Sequence, residues 1–196
     1  MTTPTRHRKR GHDPESVLSV AVGVFNERGY DGTSMEDLAR ALGMTKSAIY
    51  YHVPGKEQLL ARALDRALDG LFAMIADERA TSGPAIARLE WVVRQSVSIL
   101  VDRLPYVTLL LRVRGNSETE QRALVRRREF DGFVSRLVKE AAADGSIRPD
   151  LDPALVTRLL FGTVNSITDW YEPGRGLSAG DLGEALEKMA FGGLRV

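Results

Sequence analysis

The 196-residue chain contains no cysteine, so it can form neither a disulfide nor a thiolate metal site. Its three histidines, His7, His12 and His52, are too scattered to indicate a metal cluster. No apolar run reaches the roughly 18 residues that a membrane-spanning helix needs. No phosphate-binding glycine loop and no nucleophile–base motif is recognisable. We therefore expect no metal, no cofactor, no membrane partner and no catalytic activity, and the lack of cysteine fits a cytoplasmic location.

The formal net charge is only +1, but basic residues are concentrated at the N-terminus. Arg6, Arg8, Lys9 and Arg10 all precede the first acidic residue, Asp13. We interpret residues 1–12 as a flexible basic arm that follows DNA phosphates or reaches a minor groove. A solvated, disordered terminus explains the same pattern equally well.

Apolar residues recur at helical spacing along the chain, and no alternating strand pattern is present. The chain is therefore predicted to be all-α. The first helix is expected to open at Asp13-Pro14-Glu15 and to end at Gly29. A long helix is expected from Lys56 to about Ala80. A helix after Pro84 is predicted to end near Arg103. Four more helices are predicted at Tyr106–Val113, Glu118–Ala143, Pro153–Tyr171 and from Ser178 to about Gly192.

The segment from Thr33 to Lys56 predicts two short helices joined by a tight turn. Ser34 with Asp37 has the spacing of a capping box, and Gly43 suits a left-handed helix stop. Thr45 can cap the second helix, which is too short to be stable alone. A short helix that is braced by its neighbours and polar on its outer face has the geometry that enters a major groove.

The stretch GTSMEDLARALGMTKSAIYYHVPGKEQLL resembles the DNA-binding segment of the TetR/AcrR family of bacterial transcriptional repressors. The likeness is dense over residues 17–60 and includes the aromatic-His element at 50–52, followed by Pro-Gly-Lys at 54–56. It implies an N-terminal three-helix helix-turn-helix DNA-binding domain, residues 13–58. It also implies a C-terminal helical domain for ligand binding and dimerisation, residues 59–196, joined to the first by the helix that starts at Lys56.

Nine polar residues of this segment are predicted to meet DNA: Thr33, Ser34, Thr45, Lys46, Ser47, Tyr50, Tyr51, His52 and Lys56. Residues 45–47 begin the recognition helix and are expected to face base edges or nearby phosphates. The aromatic-His element and Lys56 are expected to position the helix on phosphates, which adds affinity but no sequence information. Thr33 and Ser34 lie at a helix N-terminus, where they can donate to phosphate.

The resemblance also suggests an effector pocket. Aromatic or polar residues on the helices that enclose the pocket in the family are Trp91, Gln95, Tyr106, Arg112, Phe130, Phe133, Phe161 and Asn165. Aromatic walls with a few polar groups are typical of small-molecule sites. The alternative for each aromatic residue is that it simply fills the core.

The segments IRPDLDPALVTRLLFG and DWYEPGRGLSAGDLGE look like the C-terminal region of family members that sense acyl-coenzyme A thioesters. Five arginines are candidates for clamping the phosphates of coenzyme A, namely Arg112, Arg114, Arg126, Arg127 and Arg128. A solvated basic helix face is the alternative. Some steroid-sensing relatives carry arginines where this chain has Phe161 and Asp169, which argues against a clamp on that helix.

The last two helices are apolar on more than one face, and family members dimerise through them. The predicted dimer residues are Leu155, Leu159, Val164, Leu182, Leu186 and Met189. A dimer is also expected on physical grounds, because paired recognition helices must reach half-sites about 34–36 Å apart or a multiple of that.

Together these features predict a cytoplasmic, homodimeric repressor that a small-molecule effector releases from its double-stranded DNA operator. Phenylacetyl-coenzyme A and a fatty acyl-coenzyme A are candidate effectors. A xenobiotic effector, or an activator in place of a repressor, stays open, as does a helical interaction module without DNA binding. The carboxylate pairs Glu36/Asp37 and Glu118/Glu120 lie at predicted helix starts, where capping explains them better than catalysis.

Overall fold

The computed structural model of the chain describes residues 13–194, with side chains through residue 192. The predicted basic arm, residues 1–12, lies outside the described residues. Within them the elements are α-helices, which confirms the all-α prediction: α1 Pro14–Arg28, α2 Met35–Ala41, α3 Lys46–His52, α4 Lys56–Ile75, α5 Glu78–Thr81, α6 Ala85–Asp102, α7 Leu104–Arg112, α8 Glu118–Ala143, α9 Pro153–Trp170 and α10 Ala179–Leu194. No helix between residues 13 and 194 is both long and apolar enough to cross a membrane.

The described residues form two compact units, which divide between residues 60 and 61. In the first unit, α1 starts where its sequence predicts, because the Asp13 side chain accepts hydrogen bonds from the amides of Glu15 and Ser16. It ends at Gly29, whose φ of 79° suits glycine. The core of this unit is formed by apolar side chains of α1, α2, α3 and the first turn of α4, including Phe25, Leu38, Ile49 and Leu59.

In the second unit, α6 is the central helix and contacts α8, α9 and α10. Its buried face carries Leu89, Val92, Val93 and Val97. Helices α8 and α9 pack together through the edge-to-face pair Phe130 and Phe161, whose ring centroids are 5.1 Å apart. These helices surround the cavity described below.

One predicted helix boundary is wrong. The helix from Lys56 ends at Ile75 instead of continuing to Ala80, and the short α5 follows it. The Asp77 carboxylate accepts a hydrogen bond from the Arg79 amide at 2.9 Å, and so begins a new helix. Asp77 also pairs with the Arg79 guanidinium at 2.8 Å. This local capping competes with continuation of the helix, which apolar spacing alone does not reveal.

The turn between α7 and α8 is organised by one carboxylate. Glu120 is only 4% exposed, and its Oε2 accepts hydrogen bonds from the amides of Arg114, Gly115 and Asn116, at 2.9, 2.7 and 3.1 Å. The conventional cap of α8 is instead Ser117, which accepts from the Glu120 amide. Glu120 therefore stabilises the turn and does more than favour the helix dipole.

Replacing Glu120 with alanine should lower the free energy of unfolding by at least about 2 kcal/mol, because three amides lose a buried charged acceptor. Glu120→Gln should cost less, since one acceptor oxygen remains. Urea denaturation followed by circular dichroism measures both changes. Glu118→Ala, an exposed acid of the same helical turn, is the control and should stay within about 0.5 kcal/mol of the wild type. Equal effects of Glu118→Ala and Glu120→Ala would contradict this role.

Candidate DNA interface and effector cavity

The N-terminus of α2 is closed by the predicted capping box. Ser34 Oγ accepts from the Asp37 amide at 3.2 Å, and Asp37 Oδ2 accepts from the Ser34 amide at 3.0 Å. The Ser34 hydroxyl itself donates to Asp37 Oδ2 at 2.5 Å. Hydrogen bonds from Ser34, aided by the positive charges of Arg40 and Arg28, lower the pKa of the Asp37 carboxyl. The hydroxyl of Ser34 is thus already occupied in this structure.

Thr33 was predicted to contact DNA, and its position in the structure does not support that prediction. Its side chain is 2% exposed, and its hydroxyl donates to the Gly29 carbonyl at 2.7 Å. A buried hydroxyl whose hydrogen is bonded within the loop cannot reach a phosphate. Thr33 instead fixes the loop between α1 and α2.

The turn between α2 and α3 is a Schellman motif. The Met44 amide donates to the Ala39 carbonyl at 2.9 Å, and the Gly43 amide donates to the Arg40 carbonyl at 3.1 Å. Gly43 has a φ of 64°, which glycine adopts without a Cβ penalty. The turn sets the direction in which α3 leaves α2.

Helix α3 has one buried and one exposed face. Thr45 Oγ1 accepts from the Ala48 amide at 3.2 Å, as the predicted cap requires, and Ile49 is fully buried. The opposite face exposes Lys46, Ser47, Tyr50 and Tyr51, with Tyr51 89% exposed. An aromatic side chain this exposed is available to another molecule. The ring of His52, half-buried, meets the Tyr51 ring edge-on at 5.6 Å.

Lys56 was expected on DNA phosphates, but its ammonium is bound within the protein. Nζ donates to the carbonyls of Tyr30 and Thr33 at 2.9 Å each and lies 3.4 Å from that of Asp31. It also lies over the Tyr30 ring, 4.4 Å from its centroid. An ammonium has three donors. The geometry therefore makes Lys56 a clamp that joins the start of α4 to the loop before α2.

Replacing Lys56 with methionine should lower the free energy of unfolding by roughly 1–3 kcal/mol, since a charged donor and a cation–π contact are lost. DNA affinity should fall alike on all sequences, without a change in salt dependence. Urea denaturation and fluorescence anisotropy at several salt concentrations measure these effects. Lys46→Met is the matched control: it should reduce the salt slope by about 1 and leave stability unchanged. A slope reduced by Lys56→Met would show a phosphate contact instead.

The second unit contains a cavity of about 540 Å³ that is partly open to solvent. Helices α4, α6 and α7 give it an apolar side, whereas α8 and α9 supply most of its polar groups. Its lining is formed by Ala67, Leu71, Ser96, Ile99, Leu100, Val107, Leu110, Leu111, Arg127, Phe130, Asp131, Gly132, Ser135, Ala154, Thr157, Arg158, Phe161, Gly162, Val164 and Asn165. Such a volume falls in the usual range of small-molecule sites.

Three charged side chains line this cavity: Arg127, Asp131 and Arg158. Burial raises the pKa of the Asp131 carboxyl, and the positive charges of Arg127 and Arg158 oppose that shift. Arg127 is half-buried and Arg158 is exposed, so both can meet the part of a ligand that projects toward solvent.

Of the eight predicted pocket residues, Phe130, Phe161 and Asn165 line the cavity. The five that do not are Trp91, Gln95, Tyr106, Arg112 and Phe133. Each of the three aromatic rings outside the lining lies beside an arginine guanidinium. The Cζ of Arg79 is 4.7 Å from the Trp91 ring centroid, that of Arg66 is 4.9 Å from the Tyr106 centroid, and that of Arg136 is 5.9 Å from the Phe133 centroid. Knowing which helix carries a residue does not show whether its side chain faces the cavity.

Among the five candidate coenzyme A arginines, Arg127 alone is part of the cavity lining. Arg126 instead bonds Asp65 and Asp69 of α4, at 2.9 and 2.7 Å, and its guanidinium lies over the Phe72 ring at 4.8 Å. Arg112, Arg114 and Arg128 are exposed. The sequence reading missed Arg158 and Asp131, although helical spacing puts Arg158 next to Phe161, and Asp131 next to Arg127.

The predicted dimer residues fall into two groups. Leu155, Leu159 and Met189 are 47%, 62% and 65% exposed and are available to a partner. The other three, Val164, Leu182 and Leu186, are buried within the single chain, which corrects their assignment. Val164 also lines the cavity. Residues on both faces of α9 are apolar, so composition could not separate the two groups.

Family models match both parts of the chain. The model for "Bacterial regulatory proteins, tetR family" matches residues 17–63, and the model for "Tetracyclin repressor-like, C-terminal domain" matches residues 82–194. The second match alone spans more than half of the chain. The α8 and α9 helices that line one side of the cavity both lie within residues 82–194.

Relatives and solved structures agree with the family models. The chain is 28% identical to the HTH-type transcriptional repressor KstR2 of Mycolicibacterium smegmatis, over 92% of this chain and 89% of that protein. It is 54% identical to SCO3833, a TetR-family member from Streptomyces coelicolor, with a TM-score of 0.87, 98% of this chain and 97% of that chain covered. The structure of AibR with isovaleryl coenzyme A and operator DNA matches with a TM-score of 0.76 and 27% identity, over 91% of this chain and 97% of that chain.

Proposed function

The chain belongs to the TetR family of bacterial transcriptional regulators, and on that premise we propose a cytoplasmic, homodimeric repressor whose effector is an acyl-coenzyme A. The observation that carries this proposal is the cavity in the second unit, apolar on one side and bordered by Arg127 and Arg158. An acyl chain suits the apolar side, and the phosphates of coenzyme A suit two guanidinium groups. The AibR complex supports the same ligand class by likeness.

The exposed face of α3 is the proposed DNA-reading surface. Thr45 and Ser47 carry hydroxyls 3.2 Å apart at the start of the helix, next to the exposed ammonium of Lys46. Hydroxyls at this end of a recognition helix are suited to base edges, and an ammonium to phosphates. Tyr50 and Tyr51 follow on the exposed face, where they can contact the backbone of the duplex.

Dimerisation is proposed through the exposed apolar residues Leu155 and Leu159 of α9, with Met189 of α10. Apolar side chains at this exposure are stabilised when a second copy covers them. A two-fold dimer would present two copies of α3 to the two halves of an operator.

Helix α4 is the proposed route by which ligand binding weakens DNA binding. Ala67 and Leu71 of α4 line the cavity, and the same helix begins at the Lys56 clamp. Two arginines hold α4 in the second unit: Arg126 binds its Asp65 and Asp69, and Arg103 donates to its Arg66 carbonyl at 2.5 Å. A ligand that favours a different placement of α4 must weaken DNA binding by the factor by which DNA weakens ligand binding.

The DNA-binding part of the proposal is tested by fluorescence anisotropy on the upstream region of the chain's own gene, against random DNA. The wild type should bind the upstream region selectively and release it when phenylacetyl- or octanoyl-coenzyme A is added. Ser47→Ala should change which operator variants are preferred, by roughly tenfold at the affected base pair, since a base contact specifies sequence. Lys46→Ala should weaken all sequences alike. Uniform losses for both variants would remove Ser47 from sequence recognition.

The effector part is tested by isothermal titration calorimetry with octanoyl-coenzyme A. Changing Arg127 or Arg158 to glutamine should weaken binding severalfold, because a charge-assisted bond to phosphate is lost. Arg128→Gln, an exposed arginine outside the cavity lining, is the control and should bind as the wild type does. Equal affinities for all three variants would contradict the assigned role of the two cavity arginines.

A further inference from the structure

Asp131 is the one carboxylate in the lining of the cavity. It follows Arg127 by one helical turn on α8 and precedes Ser135 by another, so these three polar residues form a stripe along one face of the helix. Among the described residues, Asp131 has neither a hydrogen bond nor an ion pair; Arg127 and Arg158 act on it only at longer range. Asp131 is half-buried, so its carboxylate loses part of its hydration and gains no hydrogen bond from the protein in return.

The nearby hydroxyls do not supply that donor. Ser96 donates to the Val92 carbonyl and Thr157 to the Pro153 carbonyl, each at 2.8 Å within its own helix. With their hydrogens used in this way, both side chains offer the cavity only acceptor lone pairs. Ser135, Asn165 and the two arginines also line the cavity, but none of them donates a hydrogen bond to Asp131 in this structure.

Space for a ligand group is available beside this stripe. Gly132, which follows Asp131 directly, and Gly162 of α9 both line the cavity. A Cβ at Gly162 would meet nothing within 4 Å, and one at Gly132 would meet only the Arg136 side chain at 3.8 Å. The two glycines leave room that larger side chains would occupy.

We propose that Asp131 is a specificity-determining residue that accepts a hydrogen bond from a hydroxyl on the acyl part of the effector. The inference rests on the proposed function and narrows it, from acyl-coenzyme A thioesters in general to hydroxylated ones. A ligand hydroxyl supplies the donor that Asp131 lacks in this structure.

The charges around Asp131 argue against a cationic ligand in its place. Two arginines and one aspartate leave this part of the lining with an excess of positive charge. An ammonium group would gain from Asp131 and lose to both arginines, whereas a neutral donor gains from Asp131 without that repulsion. The same excess favours the anionic coenzyme A portion of a thioester.

The test compares octanoyl-coenzyme A with three derivatives that carry a hydroxyl at the second, third or terminal carbon of the acyl chain. Calorimetry on the wild type should show at least one derivative bound about tenfold more tightly than octanoyl-coenzyme A, the size expected for a hydrogen bond to a charged acceptor. Asp131→Leu should abolish that preference. Asp131→Asn should retain part of it, since the amide oxygen still accepts.

Glu129→Gln is the matched control for Asp131→Asn, because it removes a negative charge from an exposed position of the same helix and should keep the full preference. Circular dichroism establishes that each variant is folded, and Asp131→Asn alone decides the question if the leucine variant does not fold. Octanoyl-coenzyme A bound without preference for any hydroxyl isomer would overturn the role of Asp131 and leave the proposed function intact. A preference that persists unchanged in both Asp131 variants would also overturn it. Binding of none of the thioesters would overturn the proposed effector class and, with it, this inference.

Discussion

Helix α3 is seven residues long, and the first unit depends on this constraint. A helix of that length is not stable in water by itself, so its exposed polar face exists only because other contacts hold its backbone. Ile49 anchors it in the core, Gly43 fixes its direction, and the Lys56 clamp joins the start of α4 to the loop before α2. The exposed polar face of α3 is therefore not needed to pack the helix in the first unit.

The second unit keeps a cavity between its helices that is partly open to solvent. A well-packed core would close a cavity of about 540 Å³, because unfilled volume forfeits dispersion contacts. Glycines at 132 and 162 and a carboxylate at 131 work against closure, whereas α6, at the centre of the unit, is densely packed. Arg127 of the cavity lining follows Arg126 directly on α8, and Arg126 pairs with Asp65 and Asp69 of α4.

Features set by local sequence were predictable. The caps Asp13, Ser34 and Thr45 and the turn glycine at 43 follow from the backbone groups within a few residues of each helix end, and the structure confirms them. Features that depend on distant partners were not. Lys56 binds carbonyls more than twenty residues away along the chain, and the rings of Trp91 and Tyr106 lie beside arginines of other helices. The sequence shows that such residues are amphipathic but not which of their two surfaces is used.

Affinity for an effector and the power to release DNA are separate quantities in this arrangement. A hydrogen bond to a charged acceptor contributes about 1.5–3 kcal/mol, and allosteric coupling between two sites is typically about 1–3 kcal/mol. One bond from a ligand to Asp131 is thus large enough to supply the whole coupling, but only if it forms in one conformation and not in the other. Asp131 lies on α8, the helix whose Arg126 holds α4, and α4 also lines the cavity, so a shift of α4 relative to α8 would change the shape of the cavity. Ligands that reach both Asp131 and the α4 residues Ala67 and Leu71 should therefore differ most in their affinity for the two conformations, whereas ligands confined to α8 and α9 bind without release.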